Sequence, residues 1–374
     1  SLPPIFVALS WEKEPFPPLG KMKEGKYHLN MTLEKVPAEK FLQLAESIPV
    51  IDVRSPSEYD SGHIPYAINI PLFTDQERVA VGITYKREGR IPAILEGLKL
   101  SSPMMTDKLF QALSAAKNGR LLVHCWRGGM RSEAMAWLFS LGDISTEVLE
   151  GGYKSYRNYI LERLSEKGKM IVLGGLTGSS KTYILRYLNS IGQQIIDLEG
   201  LANHKGSAFG ALGELPQPFT EQFANNLYDE WKRNDNNVPF WVEDESRNIG
   251  TVFIPDCFYE KMQDTPTIVL MMDIELRLPR LIREYSTFPE ESLKASVLRI
   301  SKRLGGDNTR DALEAIGHGD YSRAIKITLR YYDKAYHYGL KKKKGKNLVF
   351  IETDTDDIAT NAMKILDAAG KITW

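Results

Sequence analysis

Two stretches of this 374-residue chain share one plan: a short apolar strand, a loop of glycine and small polar residues, and a helix start. The first runs from LLVH (121–124) into Cys125-Trp126-Arg127-Gly128-Gly129-Met130-Arg131-Ser132, then a helical pattern from Glu133 to Leu141 stopped by Gly142. The second runs from KMIVLG (169–174) into Gly175-Leu176-Thr177-Gly178-Ser179-Ser180-Lys181-Thr182, with a helix to about Ser190. Strand, tight loop and helix make a βα unit of a parallel sheet. Further apolar runs at 48–54, 193–197, 238–243, 267–273 and 347–352 predict the remaining strands, and 38–47 and 105–117 predict helices. The expected fold class is α/β: an N-terminal parallel-sheet domain over 35–165, then a second α/β domain over 166–374 with a basic helical C-terminal part. Residues 1–34, proline-rich and without periodicity, read as an N-terminal extension or as residues foreign to the natural chain, with Met31 a natural start. Residues 73–103 read as a polar, glycine-containing connection, too long for an ordinary loop.

Composition narrows the function classes. Lys plus Arg and Asp plus Glu are 48 each, so a globally basic nucleic-acid binder is excluded, though a local basic patch is not. The 2 cysteines, Cys125 and Cys257, are too few for a disulfide scaffold, and point to a reducing, cytoplasmic setting. No apolar run approaches the roughly 20 residues of a membrane helix, and no basic segment precedes an apolar one at the start.

The cysteine loop suits a nucleophilic thiolate carrying an anion. Backbone N–H groups of Trp126, Gly128, Gly129, Met130 and Ser132 can converge near the sulfur, and the helix start adds positive potential. Arg127 and Arg131 add full charges, so Cys125, Arg127 and Arg131 are the expected catalytic set. An ordinary thiol, with pKa about 8.5, is only about 3% thiolate at pH 7, so this setting decides reactivity. His124-Cys125-x5-Arg131-Ser132 satisfies a cysteine-phosphatase signature, and equally a sulfurtransferase whose cysteine carries a persulfide or selenide. Asp52 and Arg54 are expected to stabilise the fold beside the loop. Cys257, in IPDCFYEKM, has no basic or glycine-rich frame and reads as structural.

Gly175 to Thr182 has the strand–loop–helix context of a P-loop. Gly175, Thr177, Gly178, Ser179 and Ser180 would cradle phosphates, Lys181 would hold a β-type phosphate, and Thr182 would reach Mg²⁺. Ser180 stands where the pattern has glycine; a left-handed backbone there costs about 1–2 kcal/mol. That departure counts against ordinary ATP hydrolysis more than against diphosphate binding. VPFWVEDESR (238–247) supplies the acidic strand end, with Glu243, Asp244 or Glu245 as Mg²⁺ holder or base and Arg247 as a phosphate or tRNA contact. The loop 197–213, with His204 and Lys205, can line the same site. From Arg277 to Lys346 there are 17 Lys or Arg against 8 Asp or Glu, interleaved with tyrosines, which suits an RNA backbone; Lys341, Lys342, Lys343 and Lys344 are the densest run.

Asp52-Val-Arg54, Glu58-Tyr59 and GHIPYAINIP (62–71) resemble the rhodanese domain, whose fold also hosts phosphatases. Across about residues 35–370, DVRSPSEY, NIPLFTDQERVAVGITYK, VHCWRGGMRS, LEGGYKSYR, GGLTGSSKT, DLEGLANHKGSAFG and WVEDESRNIG, in that order, resemble the tRNA 2-selenouridine synthase family, a rhodanese domain fused to a P-loop domain. The resemblance implies a tRNA wobble 2-thiouridine as substrate, selenophosphate as selenium donor, and geranyl diphosphate to alkylate the sulfur before selenium replaces it.

Overall fold

The computed structural model describes residues 33–166, 168–235, 237–343 and 348–373. The extension expected over 1–34 lies outside the described residues except for its last two, and Glu34 already opens a strand.

The first sheet consists of β1 (Glu34–Val36), β2 (Val50–Asp52), β3 (Ile68–Asn69), β4 (Arg120–His124) and β5 (Ser145–Leu149). Its order is β1-β5-β4-β2-β3, and every pair is parallel. The second contains β6 (Met170–Gly175), β7 (Gln194–Ile196) and β8 (Phe240–Glu243). A short antiparallel hairpin follows, β9 (Asn248–Ile249) and β10 (Val252–Phe253). Then β11 (Thr267–Met272) and β12 (Leu348–Thr353) complete the sheet in the order β12-β11-β6-β8-β7, again all parallel. The central strands β4 and β6 are almost wholly buried, which is why they read as unbroken apolar runs. Each anion loop leaves the carboxyl end of a central strand, where a parallel sheet opens a crevice.

The segment 73–103 is not a connection. It forms helices Asp75–Glu88 and Arg90–Ser101, hinged at Gly89. The first buries no residue and has no one-sided apolar stripe, so periodicity could not reveal it. Its one local signal is the Thr74–Glu77 capping box, in which Glu77 N–H donates to Thr74 Oγ1 at 3.3 Å. The basic region forms helices Ile274–Tyr285, Glu290–Leu304, Gly306–Gly317 and Tyr321–Lys342, inserted between β11 and β12, so the chain returns to the sheet after it.

The two sheets belong to one compact unit from Leu33 onward. Helix Gly152–Ser165 explains why. Its buried Tyr153, Tyr156 and Ile160 join a single apolar cluster with Phe41 of the first sheet's layer and Phe223, Leu227 and Phe240 of the second. Polar bonds cross the same boundary. Asn225 donates to the His63 carbonyl at 2.8 Å and to Tyr153 Oη at 2.7 Å, and accepts from Arg157. His63 N–H donates to Gln222 Oε1 at 2.8 Å. Asn225 is fully buried, so Asn225→Ala strands several polar groups without water and should destabilise the chain by about 1–3 kcal/mol, read as a lower denaturant midpoint with one unfolding transition. Two resolved transitions in the wild type would contradict the shared core.

Candidate active sites

The cysteine loop is held from behind by the next βα turn. Tyr153 N–H donates to the Cys125 carbonyl at 2.8 Å and Lys154 N–H to the Trp126 carbonyl at 3.0 Å. So close an approach requires two glycines in the left-handed region, Gly128 at φ 63° and Gly152 at φ 62°. A Cβ on Gly152 would lie 2.3 Å from Gly128 N, and one on Gly128 would lie 2.4 Å from the Leu149 carbonyl. Gly152 is a site residue that the motifs alone do not single out; its signal is the glycine pair in LEGGYKSYR.

Within the loop, Ser132 Oγ lies 3.3 Å from Cys125 Sγ and 2.9 Å from the Gly129 carbonyl, so its one proton can be donated to the thiolate or to that carbonyl. Burial raises the thiol pKa, but the Ser132 hydroxyl, the Arg131 charge and the Arg127 and Ser132 backbone N–H groups outweigh it, so the thiol lies below the ordinary range. Arg131 does not face the sulfur as a free cation. Its guanidinium bonds both oxygens of Glu58, at 2.6 and 3.3 Å. Arg127 is exposed and serves the thiol through its backbone, and Met130 is exposed beside Arg90, whose Nη2 is 3.9 Å from Met130 Sδ. Trp126 leans on Tyr153 with ring centroids 5.8 Å apart.

Below the loop, Arg54 pairs with Asp52 at 2.6 Å, donates to the Gly62 carbonyl at 2.7 Å and lies 3.8 Å over the Tyr153 ring. These groups are fully buried, as a fold-stabilising role requires. Burial pulls His124 down to about 4, so it is neutral at pH 7 and not an acid for the thiol.

The P-loop opens on a cavity of about 630 Å³ whose lining lies between Gly175 and Lys343, with no described residue from the first sheet's domain. Gly175, Thr177, Gly178, Ser180, Lys181 and Thr182 line it, while Ser179 is fully buried beneath. Ser180 adopts φ 69°, ψ 24°, the left-handed conformation usual for glycine. Lys181 Nζ donates to the Gly175 carbonyl at 3.2 Å and Thr182 Oγ1 to Glu199 Oε2 at 2.6 Å.

The acidic strand end divides into three environments. Glu243 is a structural carboxyl: it is fully buried, accepts from Leu198 N–H at 2.9 Å, and does not line the cavity. Burial, reinforced by Asp197 and Glu199, pushes its pKa far above the carboxylate range. Asp244 accepts from Tyr336 Oη at 3.1 Å and pairs with Lys343; Tyr336 Oη in turn accepts from Gly175 N–H at 2.8 Å. Burial and the neighbouring Glu199 raise the Glu245 pKa to about 8, partly offset by Lys181. Arg247 is exposed and paired with Asp256, away from the cavity. Lys205 lines the cavity and pairs with Glu284 at 2.7 Å; His204 is buried and does not line it.

The expected lysine run separates. Lys343 turns inward to Asp244, because a buried carboxylate needs a partner more than the surface needs a charge. Lys341 is exposed, only the backbone of Lys342 is described, and Lys344 lies outside the described residues. Much of the basic excess is neutralised internally. Arg277 is 2% exposed, pairs with Asp333 at 2.6 Å and donates to the Thr177 carbonyl of the P-loop at 2.8 Å. Lys302, Arg303, Arg323, Arg330 and Lys334 remain exposed. Among the described residues, no group of three His, Cys, Asp or Glu is placed to hold a metal, and no helix is long and apolar enough to cross a membrane.

The two cysteines should differ in reactivity. The alkylation rate of Cys125 should rise at lower pH than that of Cys257, whose pKa burial raises, and Ser132→Ala should move the Cys125 midpoint upward. Peptide mass spectrometry across a pH series reads both; coincident midpoints would remove the activated thiol. Ser180→Gly should raise stability by about 1 kcal/mol, strain relief exceeding the added chain entropy, as a higher denaturant midpoint.

Known families match both parts of the chain. Residues 37–159 match the rhodanese-like domain family, and residues 168–365 match the family described as tRNA 2-selenouridine synthase AAA domain. A tRNA 2-selenouridine synthase of Sulfurovum sp. (strain NBC37-1) is 35% identical over 330 residues, 79% of this chain and 89% of the relative. One from Shewanella sp. (strain ANA-3) is 35% identical over 360 residues, 86% of this chain and 96% of the relative. One from Shewanella frigidimarina (strain NCIMB 400) is 33% identical over 350 residues, 83% and 93% respectively. With both domain matches in order and relatives aligned over nearly their whole length, the chain belongs to the tRNA 2-selenouridine synthase family.

Proposed function

We propose that this chain replaces sulfur by selenium in a wobble 2-thiouridine of tRNA, in two steps at its two anion sites. The observation that carries the reading is one folded unit holding a depressed thiol in an amide-lined loop and, separately, a P-loop cavity built by the other domain alone. In the first step the thiocarbonyl sulfur attacks the first carbon of geranyl diphosphate, the carbon–oxygen bond breaks, and the N3 proton leaves. Lys181, Thr182 and the loop's N–H groups stabilise the departing diphosphate. Alkylation turns a poor leaving group into a thiol that selenium can displace. In the second step the Cys125 loop holds selenophosphate, whose selenium bonds C2 as the C2–S bond breaks and geranylthiol departs with a proton; water then cleaves the P–Se bond, phosphate leaves and N3 regains its proton. The free, unpaired state of both cysteines suits the cytoplasm.

A divalent cation fits beside the diphosphate, at Thr182 with Glu199 and Glu245. Their oxygens are hard donors, Thr182 Oγ1 lies 2.6 Å from Glu199 Oε2, and a cation would replace the proton that the raised Glu245 carboxyl holds. When bound, Mg²⁺ would neutralise diphosphate charge; Thr182 and Glu199 orient it and Lys181 adds the second positive centre.

The test is nucleoside mass spectrometry of thiolated tRNA incubated with geranyl diphosphate and selenophosphate. Lys181→Ala should slow geranylation by about 2–4 kcal/mol, or about 30- to 1000-fold, and selenation should fail with it. Cys125→Ser should still geranylate and stall with S-geranyl nucleoside accumulating, while Cys257→Ser keeps most of the selenation. A Cys125→Ser variant that binds tRNA but cannot geranylate would replace two sites by one composite site. Binding of tRNA should weaken steeply with salt, and replacing Lys302, Arg303 and Lys334 by Ala should flatten the log–log slope by about 1 for each phosphate no longer neutralised. An unchanged slope would move the RNA surface elsewhere.

A further inference from the structure

The P-loop cavity continues into a narrow slot within the helical block between β11 and β12. Thr177, Ser207, Leu281, Tyr285 and Tyr332 line both spaces, so they form the mouth between them. Beyond the mouth the slot is walled chiefly by Leu293, Val297, Ile316, Ala324, Ile325 and Leu329, all buried. Among the described residues, no charged side chain lines it. The hydroxyl of Thr328 is already committed, donating to the Ala324 and Ile325 carbonyls at 3.1 and 3.0 Å. One end of the composite space therefore offers cations and loop amides, and the other is mainly hydrocarbon, with the hydroxyl-bearing Tyr321 and Thr328 in its wall.

We infer that this slot receives the hydrocarbon tail of the diphosphate substrate, and that its inner wall sets the tail's length. The inference rests on the reading that the P-loop binds a prenyl diphosphate, and it goes beyond it by assigning the tail-binding residues. The alternative occupant of a P-loop neighbour is a nucleoside. It fits poorly here, because ribose hydroxyls and base nitrogens in the slot would lose water and find no partner. An unfunctionalised chain loses nothing polar and gains for each methylene it buries. The mouth supports the same assignment. Arg277 fixes the Thr177 carbonyl, and Tyr332 Oη accepts from Ala208 N–H at 2.9 Å, so these two polar groups at the entrance have partners without a ligand.

The experiment compares calorimetric binding of inorganic pyrophosphate with that of geranyl diphosphate, and then the prenyl group transferred when dimethylallyl, geranyl and farnesyl diphosphates compete. Ala324→Leu fills the slot. It should weaken geranyl diphosphate by about 10-fold or more, since one misfitting methylene costs that much in an apolar pocket. It should leave pyrophosphate binding unchanged, which also reports that the variant is folded, and it should turn transfer toward dimethylallyl. Val297→Ala deepens the slot and should turn transfer toward farnesyl. Should both variants bind pyrophosphate normally and keep the wild-type tail preference, the slot is not the tail site, although the P-loop reading survives. A wild-type protein that transfers no prenyl group from any of the three overturns both.

Discussion

The fold turns on two short hydrogen bonds, from the N–H groups of Tyr153 and Lys154 to the carbonyls of Cys125 and Trp126. They join the loop that carries the thiol to the first turn of a helix, and they exist because Gly128 and Gly152 present no side chain where the two backbones meet. The same helix then runs on into the apolar cluster shared with the second domain. One element thus shapes the thiol's cradle at its start and fuses the two sheets along its length. Tyr153 marks the junction: its N–H serves the cysteine loop, its ring lies under Arg54, and its hydroxyl accepts from Asn225.

Both sites hold their strongest charges in check with a protein partner. Arg131 is engaged by Glu58, and Lys343 by Asp244. Lys181 rests on a carbonyl, and burial together with the Glu199 charge raises the Glu245 pKa. Buried ions without partners are too costly to persist, so a site built for an anion must satisfy its cations some other way while empty. The arriving anion then exchanges partners with groups already in place, and does not recruit them from solvent.

Both loops, both parallel sheets and their order of domains were legible because each rests on local signals: an apolar run, glycines at a turn, a helix start. Ser180 was legible even as a strained position, since the deviation from glycine announced it. What escaped notice depended on distant partners. Nothing in VEDES distinguishes Glu243, which the sheet buries, from Glu245, which reaches the cavity; burial is decided by β7 and the helix after it. Likewise KKKK looks uniform, and only the position of Asp244 singles out Lys343. Asn225 and Tyr336 carry no motif, because their roles exist only once two domains or two helices meet. The helix pair over 75–101 was hidden for another reason: the first helix buries no side chain, so it leaves no apolar rhythm to read.

Arg277 has a consequence for how the second domain responds to ligands. It reaches from the helical block to the Thr177 carbonyl and is locked in place by Asp333 from another helix of that block. The conformation of the phosphate loop and the integrity of the block are therefore one equilibrium. An anion that binds only the ordered loop also stabilises the helical block, by an amount that grows with the logarithm of its concentration over its dissociation constant. By the same linkage, loosening the block lowers affinity at the loop, so hydrogen exchange in helix Gly306–Gly317, which does not line the P-loop cavity, becomes a gauge of occupancy at Lys181.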